Sequence, residues 1–255
     1  MLMVANSVHN GWFKALLLLV NFGCVVYQLW WILPYTPLWK KEVKSTSATD
    51  NNIRLMAANV LTPNRSADKL IGIIQANRPD VLVTLETDIW WEEQLAVIEQ
   101  DYPYTVKCPL DNLYGMHVYS KLPLEDAEIA FLVEKDVPSI HAKLVMDNGV
   151  RVRIHFMHPA PPSPTENEES LERDIELLLL AKDMENCDYP AIMTGDLNDV
   201  AWSRTARLFR KISGLLDPRV GRGLYNTFHA EHKLLRWPLD HLFHSQHFTL
   251  KQMAR

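Results

Sequence analysis

The chain is 255 residues long, with 47% hydrophobic and 22% charged residues, a balance that excludes wholesale disorder and leaves room for one large domain or two small ones. Its formal charge is −5, from 31 acidic against 26 basic side chains, and the acidic excess lies beyond residue 50, because residues 1–50 hold four lysines against Glu42 and Asp50. A body that acidic lacks the basic footprint of a constitutive nucleic-acid binder, and three cysteines (Cys24, Cys108, Cys187) neither build a disulfide framework nor match a zinc spacing.

From Trp12 to Leu33 run 22 residues whose only polar members are Lys14, Asn21 and Gln28. A bilayer core takes about 20 such residues as a helix. Trp12 and Phe13 mark one end, while Trp30, Trp31, Tyr35 and Trp39 mark the other, in the manner of interfacial aromatic belts. Pro34 and Pro37 then stop the helix. Residues 1–39 therefore read as a transmembrane anchor, with a buried core helix as the alternative; no small-x-small site follows closely enough for a cleaved signal peptide. Orientation stays open. Lys40, Lys41 and Lys44 after the helix favour a cytoplasmic domain by the positive-inside rule, and a signal-anchor gives the opposite answer.

Residues 40–52 read as a flexible polar linker. Residues 53–60 (IRLMAANV) read as a strand, with a turn at Thr62-Pro63-Asn64. Ser66 is a candidate cap for a helix with Leu70, Ile73 and Ile74 on one face. Pro79 separates it from VLVTLE (81–86), apolar enough for a buried strand. A helix is expected over 88–100 and short strands near 104–107 and 115–120. Residues 140–158 read as a hairpin turned by Asp147-Asn148-Gly149. A Pro-rich loop (159–164) leads to a helix at about 166–186, with Leu171, Ile175, Leu178 and Leu179 as its stripe. AIMTGD (191–196) reads as a strand, 202–213 as a helix, and the tail from 224 onward again as strand. Without internal repeats, this predicts a sheet-rich α/β domain with mixed strand directions.

Ionisable and amide groups appear where these strands stop: Asn59, Glu86, His158, Asp196 with Asn198, and Asp240 in WPLDHLF. Loops at converging strand ends are where sites are built. Each residue also has a plainer reading. Asn59 fits a turn, Glu86 a helix dipole, the Asp196–Asp199 stretch a turn and helix cap, and His158 a satisfied histidine beside Pro159.

As an ordered set these residues resemble the endonuclease/exonuclease/phosphatase family, over about residues 53–250. IRLMAANV is similar to its opening strand ending in Asn, RPDVLVTLE to its strand ending in a metal-binding Glu, and YGMHVYSKLPL to its Gly-x-Ala-Ile-Leu-Ser-Arg stretch, with His117 at a usually apolar place. IHFMHPAPP resembles the strand ending in a catalytic His, TGDLND the Gly-Asp-Phe-Asn signature, and YNTF with WPLDHLF the closing Thr-bearing and Asp-His strands. The anchor, PYTP, Pro138-Ser139-Ile140 and His-Pro-x-Pro-Pro look like the membrane-anchored bacterial branch.

The resemblance implies a four-layer α/β sandwich of two mostly antiparallel sheets flanked by helices, preceded by one transmembrane helix, in a single-pass protein of a bacterial inner membrane. It implies a phosphoester hydrolase. Glu86 would hold Mg²⁺ or Mn²⁺ with Asn59 beside it, Asp196 would orient or deprotonate the water, Asn198 would donate to a phosphate oxygen, His158 would contact the phosphate or assist the leaving group, and Asp240 would orient a histidine. Hard divalent ions suit an anionic phosphodiester, which repels hydroxide. The expected partners are a phosphoester substrate (nucleic acid, phospholipid or small phosphoester) and the membrane. No Ser-Asp-His follows Asp240, so residues 53–255 are expected to be a domain lacking its final strand. The alternative expectation is a truncated, non-catalytic domain that only binds a partner or head group.

Overall fold

The central strands at Val81–Leu85, Met116–Ser120 and Ala191–Asp196 are buried along their whole length, and that sets the layering. In the computed structural model, which describes residues 11–48, 50–161, 170–186, 188–230, 232 and 235–255, nine strands form two sheets. The first contains β1 (Leu55–Asn59), β2 (Val81–Leu85), β3 (Tyr104–Cys108) and β4 (Met116–Ser120), in the order β1-β2-β4-β3. The second contains β5 (Leu124–Ala130), β6 (Ser139–Val145), β7 (Arg151–Met157), β8 (Ala191–Asp196) and β9 (Asp240–His244), in sequence order. The β1–β2 and β7–β8 pairs are parallel and the others antiparallel, so the sheets are mixed, as the alternation of elements predicts.

Val83, Leu85, Met116 and Val118 from the first sheet meet Ile140, Leu144, Ile154 and Phe156 from the second in one dry layer. The outer face of the first sheet carries α2 (Ala67–Asn77) and α3 (Ile89–Leu95), through Leu70, Ile74, Trp91 and Leu95 against Leu82 and Tyr119. The outer face of the second carries α4 (Leu171–Asp183) and α5 (Arg204–Ser213), through Leu177, Leu180 and Phe209 against Met193 and Phe243. Four layers result. Each fully buried Leu, Ile, Met or Phe in them contributes about 1.5–3 kcal/mol relative to exposure.

Several local expectations are corrected. Ser66 precedes α2, but its side chain makes no cap bond; its N–H donates instead to Asn64 Oδ1 (3.1 Å). The face of α4 is inverted: Leu171, Ile175 and Leu179 are exposed, while Arg173, Glu176, Leu177, Leu180 and Ala181 are buried. Both faces are apolar enough to pack, and the sheet beneath selects the one that brings Arg173 inward. Residues 166–169 of that expected helix lie outside the described residues. The tail from 224 is mostly not strand; among its described residues, pairing is confined to β9, the Phe228–Trp237 bridge and a bridge from Leu250 to Ser45. Strand β5 has no counterpart in the sequence reading, because a run of acidic residues (LEDAEIA) masks its alternation.

By contact density the chain divides into one unit of residues 1–42 with 219–224 and another of residues 43–218 with 225–255. In the smaller unit, α1 (Gly11–Ile32) exposes Trp12, Leu19, Phe22 and Trp30, and is long and apolar enough to cross a membrane. A short 3₁₀ turn (Leu33–Tyr35) ends it. Beside that turn, Gly221 N–H donates to Pro34 O (2.8 Å), and the Arg219 guanidinium lies 5.8 Å from the Tyr35 ring centre. In the larger unit, part of the expected linker is pinned: Val43 is buried, Leu250 N–H donates to Lys44 O and Thr46 N–H to Leu250 O.

Candidate active site

Parallel pairing places the C-terminal ends of β1 and β2 together, with Asn59 in register with Leu85, so Glu86 emerges beside Asn59. In the second sheet the parallel β7–β8 pair does the same for His158 and Asp196. The four residues converge at one edge. Asn59 Nδ2 donates to Glu86 Oε1 (2.6 Å) and to Asp196 Oδ2 (3.2 Å), while Asn59 Oδ1 accepts from Leu61 N–H (3.1 Å). The amide therefore presents its NH₂ edge to both carboxylates. His158 Nε2 lies 3.9 Å from Glu86 Oε1, and His158 is buried against the Tyr114 ring, with centroids 5.5 Å apart.

The turn after Glu86 is built from several directions. Glu86 has φ +61° and Asn198 φ +50°, a left-handed conformation that costs a non-glycine residue roughly 1–3 kcal/mol and gathers where sites are over-determined. Thr62 Oγ1 donates to Glu86 O (2.7 Å). Two residues on, Asp88 caps α3 through Trp91 N–H (3.0 Å) and takes the fork of Arg65 (3.0 and 2.7 Å). Arg65 holds the Asp88 carboxyl below the usual range and stacks 4.6 Å over the Trp90 ring. Helix capping thus falls to Asp88, which frees Glu86 from that plainer role. Gly115 closes the far side: Thr87 N–H donates to its carbonyl (3.0 Å), and an added Cβ would lie 1.8 Å from Thr87 O.

Electrostatics single out Glu86. Burial pushes its carboxyl pKa up, while the Asn59 hydrogen bond and His158 pull it back and Asp196 raises it again. Its Oε2 is buried without a hydrogen-bond partner among the described residues. A buried, unpartnered carboxylate oxygen is costly unless something cationic meets it. Among the described residues no group of three or more His, Cys, Asp or Glu is arranged to hold a metal ion. One hard carboxylate beside an amide fits a cation that keeps most of its water, as Mg²⁺ does.

Asn198 is tied on every side. Its N–H donates to Asp196 Oδ1 (2.9 Å), its Nδ2 to Pro159 O (3.0 Å), and its carbonyl accepts from Arg173 Nη1 (2.8 Å). One amide hydrogen of its side chain is therefore already committed. Asp240 stands opposite Asp196 in the β8–β9 register, and its N–H meets Thr227 Oγ1 (3.3 Å). So Asn59, Glu86, His158, Asp196 and Asn198 come together, with Asp240 across the ladder. Sequence reading passed over Tyr114, Thr62 and Arg173. For Arg173 helix periodicity gives no deciding signal, since it sits on the face opposite the Leu171–Ile175–Leu179 stripe.

Residues 52–255 match the model of the Endonuclease/Exonuclease/phosphatase family. No curated protein gives a match. Among solved structures, zebrafish (D. rerio) TDP2 complexed with single-strand DNA product is 16% identical at a TM-score of 0.62, covering 80% of this chain and 86% of that one. The human nocturnin catalytic domain with bound sulfate is 16% identical at 0.62, covering 81% and 86%. A mannosyl-6-phosphatase of Bacteroides thetaiotaomicron is 17% identical at 0.59, covering 78% and 88%. At these identities the likeness is one of fold.

Proposed function

The chain belongs to the endonuclease/exonuclease/phosphatase family, and from that premise we propose that it is a metal-assisted phosphodiesterase whose reacting groups are those gathered around Asn59. Its reaction is the hydrolysis of a phosphoester bond. The observation that carries the reading is the Asn59 amide reaching both Glu86 and Asp196, which joins carboxylates at the ends of strands from two different sheets.

Glu86 would hold Mg²⁺ or Mn²⁺, with Asn59 alongside. That ion would neutralise charge on the phosphate as the nucleophile approaches. Asp196 accepts the proton of the attacking water or orients it. Asn198, fixed by its other contacts, offers its remaining amide hydrogen to a phosphate oxygen. His158, buried beside Tyr114, contacts the phosphate or serves the leaving group. Asp240 orients a neighbouring group from the facing strand. We read residues 1–39 as an anchor that keeps the hydrolase of residues 53–255 at a membrane. The negative net charge argues mildly against bulk duplex DNA as substrate and leaves phospholipid or small phosphoesters open.

The test is turnover of bis(p-nitrophenyl) phosphate by the full chain in detergent, with Mg²⁺ or Mn²⁺. Activity is expected in at least one metal, and loss in Asp196→Ala and in Glu86→Ala. Folded protein inert in both metals, or turnover indifferent to Asp196, overturns the reading.

A further inference from the structure

Arg173 lies in the first turn of α4, on the outer face of the second sheet, and is 8% exposed. A buried guanidinium is expensive unless its donors are met. Here they are met by its helix neighbour Asp174 and by the turn that carries the candidate site. Nη1 donates to Asn198 O (2.8 Å); Nε and Nη2 donate to Asp174 Oδ1 (3.1 and 3.0 Å); Nη2 also lies 3.5 Å from Asp199 Oδ2. We propose that Arg173 is a positioning residue for phosphoester hydrolysis, acting through Asn198, an inference that rests on the function proposed above.

The turn it holds follows β8, and its shape is not one that the residues prefer. Asn198 sits at φ +50°, and such a conformation persists only where its surroundings fix it. Three elements do so. The segment after β7 offers Pro159 O to the Asn198 side chain (3.0 Å), β9 brings His241 Nε2 to Asp199 O (2.9 Å), and α4 supplies the Arg173 guanidinium. Asp199 shows what that cation does. Burial raises its carboxyl pKa, and the Ser203 hydrogen bond and the Arg173 charge lower it again.

The geometry calls for arginine specifically. One planar group donates to the Asn198 carbonyl and to the Asp174 carboxylate while holding its charge 3.5 Å from Asp199 Oδ2, which a lysine ammonium on a single flexible stem cannot reproduce in fixed orientation. With the carbonyl of residue 198 held from below and its N–H held by Asp196, the remaining freedom of the Asn198 amide is rotation about its own side chain, which Pro159 O stops. Arg173 thereby sets where the second amide hydrogen points, without touching substrate.

The experiment is a double-mutant cycle on the full chain, with hydrogen exchange as its second arm. With bis(p-nitrophenyl) phosphate, Arg173→Gln is expected to lower kcat by tenfold or more with KM within about twofold, by the loss of an interaction made in the transition state. Arg173→Lys recovers part of the loss. In the Asn198→Ala background, Arg173→Gln costs under threefold more, since the residue it works through is gone. Full multiplication of the two single effects overturns the inference. Independently of activity, Arg173→Gln should speed amide exchange over residues 197–203 while strands β6, β7 and β8 keep their protection. Unchanged exchange at 197–203 overturns the inference, and so does loss of protection throughout the sheet, which would mark a purely structural role. If the wild type is inert in both metals, the hydrolase reading fails, and the exchange arm alone decides whether Arg173 holds the turn.

Discussion

Asn59 Nδ2 and Asp196 Oδ2 meet at 3.2 Å although their strands belong to different sheets. The same nitrogen lies 2.6 Å from Glu86 Oε1. A neutral donor between two carboxylates lets them approach without the penalty that two like charges would carry alone. The sandwich makes this possible because the parallel pair in each sheet ends at the same edge.

Replacing that donor should therefore cost more than a hydrogen bond. Asn59→Ala is expected to lower kcat for a phosphodiester by on the order of 10², the usual loss for one preorganised donor. Asn59→Asp should fall further, because a third carboxylate joins two that already face each other. Steady-state kinetics on both variants checks this, and equal activity in Asn59→Asp and wild type would refute it.

Gly195 carries a second constraint. Its φ is +152°, and an added Cβ would lie 1.9 Å from Met157 O. The strand that ends in Asp196 can press against the end of β7 only because no side chain intervenes. Gly195→Ala should cost about 1–3 kcal/mol of stability through overpacking. It should also lower kcat by on the order of 10², since a displacement near 1 Å at the reacting groups suffices for that. Thermal unfolding and kinetics together decide. A kcat loss no larger than the unfolded fraction explains would remove the argument.

Much of this was legible in the sequence. Asn59, Glu86, His158, Asp196 and Asn198 stand out because each is polar where an apolar strand stops, and strand ends in parallel pairs share an edge. The hairpin of β6 and β7 was equally plain from its alternation and its Asp-Asn-Gly turn. Arg173 was not legible, because helix periodicity shows two opposed apolar faces on α4 and only the sheet beneath decides between them. Strand β5 was hidden for a related reason. Its acidic side chains, three of them within LEDAEIA, suppress the apolar signal, while salt bridges from Lys143 to Asp126 and Arg151 to Glu125 belong to pairing across strands that no local window contains.

The apolar helix offers a prediction of its own. Expressed in bacteria, the full chain should stay with membranes through carbonate extraction at high pH. Leu19→Arg with Phe22→Arg, both on exposed positions of α1, should release it, because each arginine at a helix centre costs roughly 2.5–3.5 kcal/mol of insertion. Wild-type protein in the soluble fraction would sink the anchor reading.

Glu176 links stability to pH in the opposite sense from most carboxylates. It is 2% exposed on the buried face of α4, and its Oε1 has no hydrogen-bond partner among the described residues. Burial, with a smaller push from the Glu134 charge, raises its pKa from 4.5 to about 8. The native state therefore keeps the proton over a range in which the unfolded chain has lost it. Where the native state binds more protons, stability falls as pH rises. The contribution is complete below about 4.5 and disappears by about 8, with a ceiling of about 5 kcal/mol at roughly 1.4 kcal/mol per unit. Glu176→Gln keeps the shape and never ionises. Its Tm should match that of wild type near pH 5 and exceed it by several degrees near pH 8.5. Other titrating groups act on both proteins alike, so the difference between the two curves isolates this carboxyl. A constant offset at both pH values would show that Glu176 is already ionised in the folded chain.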